Sequence, residues 1–150
     1  MGKLYVVAFD STSNYGGANN NKRTYITNWE SILPPDKQFK VSFTYMSVVA
    51  AVVNTPTLMT LHIDLGQTTT FQASGSPFAS DRYLGCLLFG GTDNTNEYYY
   101  ATTETNPPIY IKSRPTNSFT EVALHQGLTQ TNYNTPVPSD YVLTLCFEEL

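Results

Sequence analysis

Histidine is the first residue type to ask about chemistry, because imidazole changes charge near neutral pH and is a common metal ligand. The chain holds only His62 and His125. His62 stands two residues before Asp64 in an alternating segment, so the two side chains share one strand face. A metal or acid–base site would need His62, Asp64 and His125 to converge, and zinc sites usually supply three or four protein ligands. The simpler reading is two strand residues facing solvent or a neighbour. Each lies opposite the local apolar set, Leu61 and Ile63 for one and Val122 and Leu124 for the other.

The remaining reactive residue types are no better arranged. The serines lack the Gly-X-Ser-X-Gly elbow of a hydrolase, and Ser74, Ser76 and Ser80 read as parts of a loop. Cys86 and Cys146 sit in apolar strand segments and read as buried free thiols. Glu148 and Glu149 are adjacent, which puts them on opposite strand faces. The chain has no phosphate loop, dinucleotide fingerprint or calcium loop. No cofactor, no metal and no catalytic activity are expected.

Tyr98, Tyr99 and Tyr100 place aromatic rings on both faces of one short strand. Beside Asp93, Asn94 and Asn96 they could stack on and hydrogen-bond a sugar, or they could build a protein interface. They also fit a middle residue in the core with two rim partners. All three readings stay open.

What must position these residues is a set of strands. In the closing segment Tyr141, Leu143, Leu145 and Phe147 point one way, and Val142, Thr144, Cys146 and Glu148 the other. That period of two marks a strand with one buried face. The same alternation runs through 39–49, where Phe39, Val41, Phe43 and Tyr45 oppose Lys40, Ser42, Thr44 and Met46. Further strands are expected over 3–9, 22–29, 58–65, 68–73, 83–89, 98–102, 109–112 and 119–124. Gly85 inside an apolar run signals a bulge or a close approach. Trp29, the only tryptophan, is expected to plug one end of the core. Pro34-Pro35, Pro56 and Pro107-Pro108 break the pattern, and residues 11–21, 74–81 and 127–138 read as loops. No segment reads as a helix. Nine or ten short strands at intervals of about a dozen residues indicate an all-β antiparallel sandwich or barrel rather than a βαβ fold.

Composition bounds the partners. A 150-residue chain fits one domain, residues 1–150. Charged residues make up 13%, about half the usual share, so the surface is weakly protected against association. Net charge is −4 and no basic run exceeds Lys22-Arg23, which excludes a nucleic-acid binder that tracks phosphates. The longest apolar stretch, 48–53, is far short of a membrane span, so no membrane insertion is expected. The N-terminus enters a strand directly, with no room for a signal peptide. Two isolated cysteines and no Asn-X-Ser/Thr sequon favour folding in a reducing compartment.

Three stretches carry a family resemblance: 106–111 (Asn-Pro-Pro-Ile-Tyr-Ile) with Arg114-Pro115-Thr116-Asn117, then 138–148, and 29–43 early in the chain. In overall pattern, over nearly its full length, the chain resembles small β-sandwich virion proteins of large eukaryotic DNA viruses, virophages and polinton-like viruses. The resemblance implies a single jelly roll of eight core strands with extra edge strands. It implies a penton or minor capsid role in a virion, with synthesis and folding in the host cytoplasm. It also implies other capsid proteins as partners and assembly as a homo-oligomer, a trimer or pentamer. It carries over no catalytic residues. The candidate contact segments are 15–21, 90–100 and 127–138, with Tyr15, Asp93, Asn94, Asn96, Tyr98, Tyr99, Tyr100 and Tyr133 as the residues that would touch a protein or a glycan. The rival readings are a glycan-binding sandwich for host attachment, centred on Tyr98 to Tyr100, and a cupin-type metal enzyme. The latter wants a histidine cluster that two separated histidines do not supply.

Overall fold

The computed structural model describes residues 2–19, 22–49, 57–65, 70–72, 78–80, 83–89, 97–103, 106–125 and 138–150. Among them are twelve strands: β1 (Leu4–Asp10), β2 (Gly16–Asn19), β3 (Lys22–Ile26), β4 (Phe39–Val49), β5 (Thr57–Ile63), β6 (Thr70–Gln72), β7 (Phe78–Ser80), β8 (Tyr83–Phe89), β9 (Glu97–Ala101), β10 (Ile109–Ile111), β11 (Phe119–His125) and β12 (Pro138–Glu149). The first sheet runs β1-β12-β4, and β4 then pairs β10 along its beginning and β9 further on. The second sheet runs β2-β3-β11-β5-β8. Strands β6 and β7 form a separate hairpin.

The pairing is nested. Strand β1 pairs β12, β3 pairs β11, β4 pairs β9 and β10, and β5 pairs β8, all antiparallel. With β9 and β10 counted as one interrupted strand, eight core strands pair first with last, second with seventh, third with sixth and fourth with fifth. That is a long ribbon rolled into two facing sheets, the jelly-roll order. Strand β2 is the extra edge strand.

Alternation decides which side chains the roll encloses. Tyr141, Leu143, Leu145 and Phe147 of β12 are buried beside Phe39, Val41, Phe43 and Tyr45 of β4 in the same sheet, and share one core with Met59, Leu61 and Ile63 of β5 in the facing sheet. Burying one such side chain contributes about 1.5–3 kcal/mol. Trp29 does plug the core, with its ring centroid 5.6 Å from Phe147 and 6.4 Å from Phe9. It does so from one helical turn, Trp29–Ile32, which begins at the last residue of the expected strand 22–29; that strand itself ends at Ile26. The turn is too short for helical periodicity to register. Two loops also gain strands: β2 lies within 11–21 and β7 within 74–81.

Gly85 marks a close approach. A Cβ there would meet the Phe43 ring of the facing sheet at 2.8 Å. The outer edge of β8 is capped at the next residue. Cys86 donates its N–H to Asn106 Oδ1 at 3.0 Å, and Asn106 Nδ2 donates to the Cys86 carbonyl at 2.9 Å. Asn106 lies between β9 and β10, so one side chain ties the second sheet to the first. It also occupies edge groups that would otherwise invite another strand. Asp36, at the end of the diproline turn, takes φ 56°, a left-handed conformation that Asp tolerates.

Candidate functional site

The topology gathers four connections at one end of the sandwich. Strand ends Asp10, Val49, Glu97 and Pro138 of the first sheet share that end with Lys22, Thr57, Phe89 and His125 of the second. The segments joining them include the three singled out from the sequence, 15–21, 90–100 and 127–138. Asp93, Asn94, Asn96 and Tyr133 lie outside the described residues. Tyr15 lies away from this end. Its ring is 5.3 Å from that of Phe119, and both are exposed on the outer face of the second sheet at the opposite end.

Strand β9 separates the three tyrosines. Tyr100 pairs with Tyr45 and Tyr98 with Ser47, two buried positions, so Tyr98 and Tyr100 turn inward and pack against the core. Tyr99 pairs with Met46 and points out, 61% exposed. The arrangement reverses a central core residue with rim partners. The interior here is rich in hydroxyls. Tyr25 and Tyr141 share a hydrogen bond of 2.7 Å across the sheets, Tyr45 stacks on Tyr141, and the Tyr141 N–H donates to Ser11 Oγ at 3.0 Å. Burial pushes the phenols of Tyr25, Tyr45, Tyr100 and Tyr141 above their ordinary value. The bond to Tyr25 adds to the rise at Tyr141, and the nearby Ser47 hydroxyl opposes it at Tyr45.

Outside this hydroxyl layer lies an open groove of about 640 Å³. Its outward row runs Asp10, Val142, Met46, Tyr99 across four strands, with Asp140, Val48 and Glu97 in the next row. The floor is apolar and three carboxylates stand around it. Hydrogen bonds from the Thr12 N–H at 2.9 Å and the Thr12 hydroxyl at 2.8 Å hold the Asp10 carboxyl below its ordinary range. Further along the same face Leu4, Val6 and Tyr110 are also exposed, set apart from the groove by Thr144, Thr44 and Ser42, and Leu4 from Tyr110 by Glu148 and Lys40. The sequence flagged Tyr99 but missed Met46, Val48 and Val142. Their alternation with the core residues was legible; their shared row was not.

The histidines do meet. His62 and His125 lie with ring centroids 4.5 Å apart, edge to face, because β5 and β11 are neighbours. His62 is 4% exposed rather than solvated. Thr60 Oγ1 donates to the His125 carbonyl at 3.2 Å and lies 2.8 Å from His62 Nε2. Tyr83 packs its ring edge-on to His62 and shares a 3.0 Å contact with Cys86 Sγ. Burial, reinforced by that thiol, raises the Tyr83 phenol. The Asp64 N–H donates to the Glu121 carbonyl and its own carbonyl accepts from Asn117 Nδ2. Among the described residues no group of three His, Cys, Asp or Glu is placed to hold a metal ion. Both cysteines are free, and half-buried rather than buried.

No family model matches the chain, and no curated protein matches it. Among solved structures it is similar to a chain in a Nora virus structure, at 10% identity and a TM-score of 0.28, over 97% of this chain and 55% of that one. This chain thus spans little more than half of that chain's length, and a likeness so distant carries no argument.

Proposed function

We propose that the protein is a structural subunit of an icosahedral viral shell, a penton or a minor or accessory capsid protein. It would act in the virion through assembly rather than catalysis. The observation that carries this reading is the outer face of the first sheet. Leu4, Val6, Met46, Val48, Tyr99, Tyr110 and Val142 are 39–66% exposed there, on a jelly roll whose surface is poor in charge. Met46, Val48, Tyr99 and Val142 adjoin across three strands; exposed apolar clusters of this kind mark interaction surfaces, and a face covered by neighbours removes the liability. The fold alone does not choose, since lectins and cupins share it. The glycan reading needed a platform of three tyrosines, and two of them are turned into the core.

Light scattering across a concentration series tests the proposal. A discrete trimer or pentamer is the expected result, with a pentamer pointing to a vertex position. A chain that stays monomeric throughout and binds a sugar through Tyr99 in a glycan screen would overturn it in favour of host attachment.

A further inference from the structure

We propose that the free edge of β1 takes up an extended segment of another protein as an added antiparallel strand, with the segment's alternate apolar side chains turned into the groove beside that edge. The backbone sets the site. The Glu149 N–H donates to the Lys3 carbonyl, and Leu4 stands opposite Glu148. Hydrogen-bonded and non-bonded pairs alternate along an antiparallel ladder. Tyr5, Val7 and Phe9 therefore direct their N–H and C=O groups at β12, and Leu4, Val6 and Ala8 direct theirs away from it. Among the described residues nothing bonds to those outer groups. The other sheet edges carry the usual protections. Strand β8 is capped by Asn106, β2 has four residues and a register shift, and β9 and β10 are five and three residues long. Strand β1 runs seven residues in unbroken register with β12, and no proline or charge interrupts it from Leu4 to Phe9.

The groove selects the occupant. It is open, about 630 Å³, and lies along the second half of β1. Val7 and Phe9 line it from β1, Tyr25 and Ile26 from β3, and Ile32 from the helical turn. An added strand continues the first sheet across it, so every second side chain of that strand enters it. Among the described residues Asp10 is the only charged one lining the groove, and its carboxyl already accepts two hydrogen bonds from Thr12. The match is therefore to uncharged apolar side chains, with main-chain hydrogen bonds supplying affinity and the groove supplying selectivity. A second copy's β1 could meet the edge groups but could not fill the groove, because its own Tyr5, Val7 and Phe9 are packed against its own core. The occupant is a segment that belongs to no sheet before it binds. The inference does not rest on the shell reading, because it concerns a strand edge and not the outer face of the sheet.

The test uses the full chain and a labelled peptide, Thr-Val-Thr-Val-Thr-Val-Thr, followed by fluorescence anisotropy. Paired antiparallel, its threonines fall opposite Leu4, Val6 and Ala8, and its valines face the groove. It is expected to bind with an affinity that salt barely changes. N-methylation of its threonines, which removes the N–H groups aimed at β1, is expected to weaken it at least about tenfold. N-methylation of its valines, whose N–H groups point to solvent, is expected to leave it bound. Serine in place of the valines should again weaken it at least about tenfold. Val6→Pro removes one outer N–H without touching the ladder to β12, a change that edge strands tolerate, and should lower the affinity by a similar factor. The methylated peptides probe the same bonds on an unaltered protein, should that variant fail to fold. Equal binding of the threonine-methylated and unmodified peptides would overturn the proposal, and so would equal affinity of the valine and serine peptides. A solution mass of the chain alone that falls on Val6→Pro would overturn it too, since a second copy would then hold the edge. Absence of peptide binding would overturn it and leave the oligomer measurement above unaffected, so the two readings fail separately.

Discussion

The outward faces of the two sheets obey the same alternation and end in different states. On the second sheet, Thr60 and His62 point away from the core yet are only 5% and 4% exposed. The rings of His62, His125 and Tyr83 lean on one another there, and the Thr60 hydroxyl is tied to two of these neighbours. On the first sheet, Met46 and Val142 also point away from the core and are 56% and 39% exposed. A polar patch on one sheet is thus closed to solvent, while an apolar patch on the other is left open. This is the reverse of what solvent alone would select. It teaches that alternation assigns a residue to a face but not to water, and that the open apolar face is where a partner has most to offer.

The same substitution at both places should break the comparison most sharply. Thr60→Lys forces a cation beside two imidazoles in a closed patch and is expected to cost about 3–5 kcal/mol, as an uncompensated buried charge does. Met46→Lys, on the open face, should change stability by no more than about 0.5 kcal/mol. Denaturant unfolding of the two variants reads both numbers. Equal costs would mean that the two faces are equally open or equally closed.

Next in size is the edge that joins the two sheets. Asn106→Ala removes both bonds to Cys86 and leaves an edge N–H and carbonyl to water, at an expected cost of about 1–3 kcal/mol. Faster hydrogen exchange at the Cys86 amide would accompany it. A variant as stable as wild type would show that the edge needs no cap.

Alkaline pH separates the exterior from the hydroxyl-rich interior. The phenols of Tyr25, Tyr45 and Tyr141 are raised above 10.0 in the folded chain, first by burial. A raised pKa on an acid favours the neutral form, so its contribution is complete below pH 10. It is lost as pH climbs from there toward the folded-state value, because the unfolded chain ionises first. Stability should hold to about pH 10 and then fall, and ionisation of these rings followed by ultraviolet absorbance should coincide with unfolding. Ionisation that precedes unfolding would mean that water already reaches that end of the core.

Much of this was legible in the sequence, for a physical reason. The long strands β4 and β12 declare themselves because a period of two over many residues has no other explanation. The all-β class and the jelly-roll expectation stand, and Gly85 and Trp29 behave as their types suggested. What was hidden depends on strand order. His62 and His125 are far apart in the chain and meet only because β11 inserts beside β5. The order of inward and outward tyrosines in β9 was hidden too. Alternation fixes that they differ, and only pairing with Tyr45 and Ser47 fixes which turn in. The groove was missed because Met46, Val142 and Tyr99 come from three strands, and no local signal unites them.

The most direct test of the open face is the solution mass of wild type beside that of Met46→Lys, by light scattering over the same concentrations. The account predicts a discrete oligomer for the wild type and a folded, smaller species for Met46→Lys. An identical oligomer in both, or a wild type that never leaves the monomer, would contradict it.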